Sequence, residues 1–302
     1  MLPKILAICS ISSIIIGIGL LLNGFIVITN LFWWMKGQTV QPINVLITGL
    51  GLVRIILLSI IAKEVYFTMF GLPLFHVDSH PQYIDTLLVC LMFCNLWWGS
   101  VLCVFYCMKI TNYSNRIFMR LKMKISKMVH WLLLISLAIS VLSSLPCTWV
   151  IFAIRVVNGT GSRSMEVNIV HLFITVFAGS IIPFTLFCAA IYLIIVSLLR
   201  HTRNMNSRDS GFSHSQREVH LSVIRNMISF ILFYVMFFVA YILFCSTLNL
   251  KSDTFRLICF IFICAYPSLH SIALIVGNKE LKTFFCVVLS CTWLGNSKRQ
   301  SP

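Results

Sequence analysis

Tyr266-Pro267-Ser268-Leu269-His270-Ser271-Ile272-Ala273-Leu274-Ile275-Val276-Gly277-Asn278-Lys279-Glu280-Leu281-Lys282 reads as an apolar helix that meets Pro, His and Ser in mid-span and ends on Gly-Asn and a basic turn. Polar groups at that depth in a bilayer are costly unless neighbouring helices satisfy them, so this helix is expected to face a protein interior. The remainder of the chain is then its surroundings: a helical bundle with a functional inside.

Composition supports the membrane reading. The 302 residues are 59% apolar and 10% charged, with a mean hydropathy of +0.96, which leaves too little polar surface for a water-soluble fold. Several apolar runs exceed the roughly 18 residues that a helix needs to cross hydrocarbon, and no window alternates with period two as a membrane barrel would. The expected fold class is an all-α membrane protein, a seven-transmembrane helix bundle with the amino terminus outside and the carboxyl terminus cytoplasmic. The spans are placed at 5–34, 43–68, 83–108, 128–154, 167–199, 221–248 and 255–277, within a single domain over 1–292, and 293–302 is expected to be a short disordered tail. The first run is too long for a cleavable signal and is read as an uncleaved helix. The fifth exceeds the hydrocarbon thickness and is expected to project beyond it.

The orientation rests on basic residues. With the amino terminus outside, sixteen Lys and Arg fall in the cytoplasmic segments and six on the other side, with Arg54 inside the membrane, which agrees with the positive-inside rule. The net charge of +15 therefore follows from topology and points to anionic membrane lipids rather than to nucleic acid. None of the twelve cysteines lies in an expected outer loop, so no disulfide framework is expected. Cys286 and Cys291, just past the last span, are candidates for acylation or plain apolar packing.

Several segments resemble one receptor family. The run His270 to Lys282 resembles the His-Ser-x-x-Leu-Ile-x-x-Asn-x-x-Leu-Lys signature of the bitter taste receptors, the type 2 taste receptor family of G-protein-coupled receptors. Leu102 to Asn115, with Phe105-Tyr106-Cys107-Met108-Lys109-Ile110, is similar to that family's third-helix ending. Pro183-Phe184-Thr185-Leu186 and Ser197-Leu198-Leu199-Arg200-His201 resemble its fifth helix. Arg54, Asn23-Gly24 and Asn158-Gly159-Thr160 stand where the family has an Arg in the second helix, an Asn-Gly in the first and a glycosylation sequon in the second outer loop. Met92-Phe93 departs from the Asn-His that members often carry ahead of Trp97.

The resemblance implies a chemosensory receptor of the plasma membrane for bitter small molecules, coupled to a gustducin-like inhibitory-class heterotrimeric G protein. It carries no cofactor and no metal and is not an enzyme. The residues by themselves place the ligand inside the bundle, because the expected outer segments are short, in a concave and mostly apolar site. The expected lining is Leu88, Val89 and Met92 on the third helix, Phe237 and Tyr241 on the sixth, and Phe260 and Cys264 on the seventh; the resemblance implies ligand contacts at Phe237 and Phe260. No acid is expected to face this cavity, so amines are not obligatory ligands.

Arg54 is expected to point inward. The family alignment puts Asn23 and Ser271 at its depth, and these residues with His270 form the expected activation network. Tyr106, Lys109, Ser197, Leu198, His201, Met205 and His220 lie where the third, fifth and sixth helices end and are the expected G-protein contacts. Asn158 is the expected glycosylation site, since the other sequon, Asn112-Tyr113-Ser114, is on the cytoplasmic side.

Enzyme and transport chemistry find little support. His76, Asp78 and His80 have a metal-like spacing but no third firm ligand, and His270-Ser271 has no acid nearby in sequence. A transporter would show internal repeats and charged midplane residues. A vomeronasal-type receptor shares the fold but not the two helix-ending signatures.

Overall fold

The computed structural model describes residues 2–39, 41–69, 82–111, 116–146, 152–156, 163–167, 169–206, 214–246 and 253–297. Helix α1 spans Leu2–Met35, α2 Pro42–Met69, α3 Gln82–Ile110 and α4 Arg116–Ser144. Two strands, β1 Phe152–Val156 and β2 Arg163–Val167, follow. Then come α5 Ile169–Asn206, α6 His214–Ser246, α7 Asp253–Gly277 and α8 Lys279–Ser297. Six helices hold apolar stretches of 21 to 30 residues, and α6 holds the shorter stretch Ile228–Phe244. Together α1 to α7 form a seven-helix membrane bundle. Its outer surface is apolar, with Leu21 76% exposed on α1 and Trp131 66% exposed on α4.

Three boundaries differ from the sequence expectation. The fourth span, expected at 128–154, does not continue as α4 beyond Ser144, because Pro146 brings no N–H to the helical ladder and restricts the residue before it. Phe152–Val156, where the expected span ended, form β1, which pairs antiparallel with β2 from Phe152↔Val167 to Val156↔Arg163. An apolar run of that length does not by itself distinguish helix from strand. At their other ends α4 and α6 begin before the apolar runs do, since Lys, Arg and Gln are good helix formers and carry the helix past the hydrocarbon. The fifth helix does project: its 38 residues measure about 57 Å at 1.5 Å per residue.

Helix α8 reaches into the stretch expected to be an unstructured tail. Asn278 caps it, its side-chain oxygen accepting from the backbone N–H groups of Glu280 at 3.0 Å and Leu281 at 3.2 Å, which satisfies two of the donors a helix start leaves open. Leu281 is buried in the core, and Phe284 and Phe285 lie 6.0 and 5.1 Å from the Phe25 ring of α1. The spacing Leu281, Phe284, Phe285, Val288 is a helical apolar stripe and was present in the sequence to be read.

Lipid tails are as apolar as leucine, so association of the helices depends on close packing and hydrogen bonds rather than on burial from water. Gly19 shows the packing part. A Cβ on this residue would collide with Ser268 Oγ of α7 and come within 2.8 Å of Leu58 Cδ1 of α2. Its absence lets Ser268 Oγ donate to the Ile15 carbonyl of α1 at 3.1 Å. Overfilling such a contact costs about 1–3 kcal/mol. Gly19→Leu is accordingly expected to lower both surface expression and the thermal midpoint of the detergent-purified chain, while Gly24→Leu, with no heavy atom within 4 Å of the added Cβ, should change neither; equal behaviour would remove Gly19 from the packing account.

Candidate functional site: a buried arginine centre beneath an aromatic-lined cavity

Arg54 is fully buried on α2. A charged side chain at mid-membrane costs about 2.5–3.5 kcal/mol or more, and the guanidinium fork offers five donors to offset it. Nε donates to Asn95 Oδ1 of α3 at 2.8 Å, Nη1 to Ser271 Oγ of α7 at 3.1 Å, and Nη2 to His270 Nδ1 of α7. An arginine only donates, so His270 accepts at Nδ1 and carries its proton on Nε2. One side chain thereby ties α2 to α3 and α7.

The network continues into α1. Ser271 Oγ lies 2.8 Å from Asn23 Oδ1 and 2.7 Å from the Pro267 carbonyl, between which its one proton chooses, and Asn23 Nδ2 donates to the Gly19 carbonyl at 2.8 Å. With the Ser271 proton on the Asn23 side, the donors run in one direction, from Arg54 through Ser271 and Asn23 to the Gly19 backbone, an arrangement in which each bond polarises the next. Of the partners expected for Arg54, Ser271 is in direct contact and Asn23 is reached through it. Asn95 was not singled out from the sequence, although a lone amide in an apolar helix is a signal in its own right.

Above this centre aromatic rings form a column. His270 lies 4.2 Å from the Phe230 ring of α6 and 5.8 Å from that of Tyr266. Tyr266 is 4.9 Å from Phe237, and Phe237 is 6.0 Å from Tyr241 at an interplanar angle of 18°. These separations are those of interacting aromatic pairs. Tyr266 and Phe230 carried no sequence signal that set them apart from the other aromatic residues.

The column ends at a cavity. Val89, Met92, Phe237 and Tyr241, four of the seven expected ligand contacts, line one space between α3, α5 and α6. The space measures about 10 Å³, room for about one water at most, so the side chains that line it are drawn close together. Leu88 and Cys264 pack instead in the cluster that joins α1, α2, α3 and α7, and Phe260 lies between that cluster and the one that holds Val89 and Phe237, 6.2 Å from the Phe244 ring. Phe93 is 2% exposed and does the work of packing: a Cβ on Gly179 of α5 would stand 2.5 Å from its ring tip. A glycine at this site lets α5 close on the Phe93 ring, and Met92 lines the cavity.

At the end of the bundle that carries α8, Tyr106 and Ser197 are half-buried and Lys109 is exposed, its Nζ 5.6 Å from the centre of the Phe105 ring. Lys122 of α4 donates to the Thr111 carbonyl at 2.9 Å and caps the end of α3. The side chains of Leu198, His201, Met205 and His220 lie outside the described set, as do Asn158 and the loop with His76, Asp78 and His80. Cys286 is exposed on α8.

Comparison with known proteins gives one answer over nearly the whole length. The family described as Taste receptor protein (TAS2R) matches residues 1–293. Taste receptor type 2 member 39 of Macaca mulatta is 30% identical over 272 residues, 87% of this chain and 80% of the relative. Taste receptor type 2 member 9 of the same species is 29% identical over 284 residues, covering 90% and 89%. Taste receptor type 2 member 104 of Mus musculus is 30% identical over 270 residues, covering 88% and 89%. A match of this length, on a bundle of membrane-crossing helices, makes the chain a multi-pass plasma-membrane receptor and not an enzyme, and it belongs to the type 2 taste receptor family.

Proposed function

We propose that this receptor detects bitter small molecules in the aromatic-lined cavity between α3, α5 and α6 and activates a gustducin-like inhibitory-class heterotrimeric G protein at the end of the bundle that carries α8. The observation that carries the reading is the continuous column Tyr241–Phe237–Tyr266–His270–Arg54, in which each ring contacts the next. A ligand that enlarges the narrow cavity displaces Phe237, and Tyr266 and His270 are next in line. Two arrangements of the Arg54 bonds, one favoured by the empty cavity and one by the filled, constitute the switch. Its output is a change in the relative positions of α3, α6 and α7, felt where Tyr106, Lys109 and Ser197 meet the G protein. The walls favour drug-sized, largely apolar compounds.

The amino terminus faces outside in this reading, which the distribution of basic residues supports. Asn158 is then glycosylated. An amidase that strips N-glycans should shift the wild-type band and leave Asn158→Gln unmoved, and a shift in the variant would overturn the topology. The function itself is tested by a compound-panel calcium assay in cells that express the chain with a promiscuous G protein. Responses to several bitter compounds, absent from mock-transfected cells, are expected. A fully silent receptor at normal surface density would contradict the reading.

A further inference from the structure

A second, larger space adjoins the inner cavity on its membrane side. Between α5 and α6 lies a recess of about 200 Å³, larger than the apolar cavity of about 150 Å³ that is known to hold benzene. Phe184, Tyr234 and Phe238 form its walls. Its rim, Phe177, Ile181 and Val235, is 57%, 38% and 41% exposed on the apolar outer surface of the bundle. The one small polar side chain in the lining, Ser180, points its hydroxyl at the Val176 carbonyl of its own helix, and Tyr234 donates its O–H to the Ser180 carbonyl at 3.3 Å. The recess therefore offers its occupant aromatic faces and little else. Rings stack on such walls with a gain that a flexible acyl chain does not match.

Two side chains, Ser180 and Phe238, border both spaces. Phe238 is half-buried and lines both, so its ring forms part of the wall between them. We propose that the α5–α6 recess is the outer binding site for a small, flat, apolar molecule dissolved in the bilayer, and that it passes from there to the inner cavity when Phe238 swings aside. This rests on the inner cavity being the agonist site. It also accounts for how a ligand reaches a space of only about 10 Å³: concentration in the membrane supplies the ligand and the ring supplies the door.

The test uses the full chain in phospholipid nanodiscs, photolabelled with 3-trifluoromethyl-3-phenyldiazirine and mapped by peptide mass spectrometry. In the wild type, label is expected at inner Met92 and Phe237 as well as at lipid-facing Leu21. Ile181→Trp and Val235→Trp fill the recess from opposite walls, and each should cut inner labelling by about tenfold, with Leu21 labelling and thermal midpoint unchanged. Phe238→Ala should raise inner labelling. Inner label that persists in both Trp variants would overturn the proposal, as would wild-type label at Leu21 with none at Met92 or Phe237, the pattern that a resident acyl chain produces. Labelling does not depend on activation. An inner cavity that labels by this route, in a receptor whose potency ignores Phe237→Ala, would sink the agonist site and leave the membrane route standing.

Discussion

Arg54→Met is expected to leave little receptor at the cell surface. The substitution removes a buried charge, but it strands Asn95 Oδ1 and His270 Nδ1, each of which loses a charged donor in the buried centre of the bundle, while Ser271 keeps the Asn23 and Pro267 oxygens as partners. An unsatisfied buried polar group costs about 1–3 kcal/mol, so the two together take a large part of the stability of a typical domain. Arg54→Lys is the informative companion. Its ammonium keeps the charge but is a single point, unable to span three partners that the guanidinium fork reaches at once. It should traffic better than Arg54→Met and respond poorly to agonist at matched surface density. Normal expression with unchanged activation of Arg54→Lys would count against the centre both as a staple and as a switch.

Phe237→Ala is expected to cost about five- to 150-fold in agonist potency, the equivalent of roughly 1–3 kcal/mol of lost aromatic contact. Surface expression should hold up better than for a core residue, because the ring already borders a space into which neighbours relax. Phe260→Ala gives the contrast. Phe260 packs between the α1–α2–α3–α7 cluster and Phe244 rather than on the cavity, so its truncation should lower surface density while the receptors that arrive keep their potency. Surface-normalised dose–response curves for the pair separate the two roles, and equal potency losses would place the ligand nearer α7 than the cavity suggests.

What the sequence makes legible follows from how strongly each feature is written in it. Apolar runs longer than the bilayer is thick announce membrane helices almost without ambiguity, and the same logic marks Arg54 as inward-facing, since no other placement is affordable at that depth. The end of α4 and the β1–β2 pair are less legible, because an apolar β-branched run after Pro146 satisfies helix and strand templates alike. The cavity residues fall between these extremes. Val89, Met92, Phe237 and Tyr241 meet on one space, whereas Cys264, equally apolar and equally well spaced, belongs to another cluster and Phe260 bridges the two. Helical periodicity assigns a face to a residue but not the neighbour that face meets. Tyr266 is the plainest case: one aromatic residue among many in sequence, and in space the link between Phe237 and His270.

The coupling of the cavity to the Arg54 centre through Tyr266 is tested most directly by a double-mutant cycle. Surface-normalised agonist potencies would be measured for Phe237→Leu, Tyr266→Leu and the two combined, with a compound found active in the panel. Residues that act through one another show an interaction energy of about 0.5–3 kcal/mol, whereas independent sites add to within about 0.3–0.5 kcal/mol. The account predicts that the second substitution costs little once the first is made, so that the double variant is no worse than the poorer single one by more than about twofold. Full additivity of the two losses would contradict it.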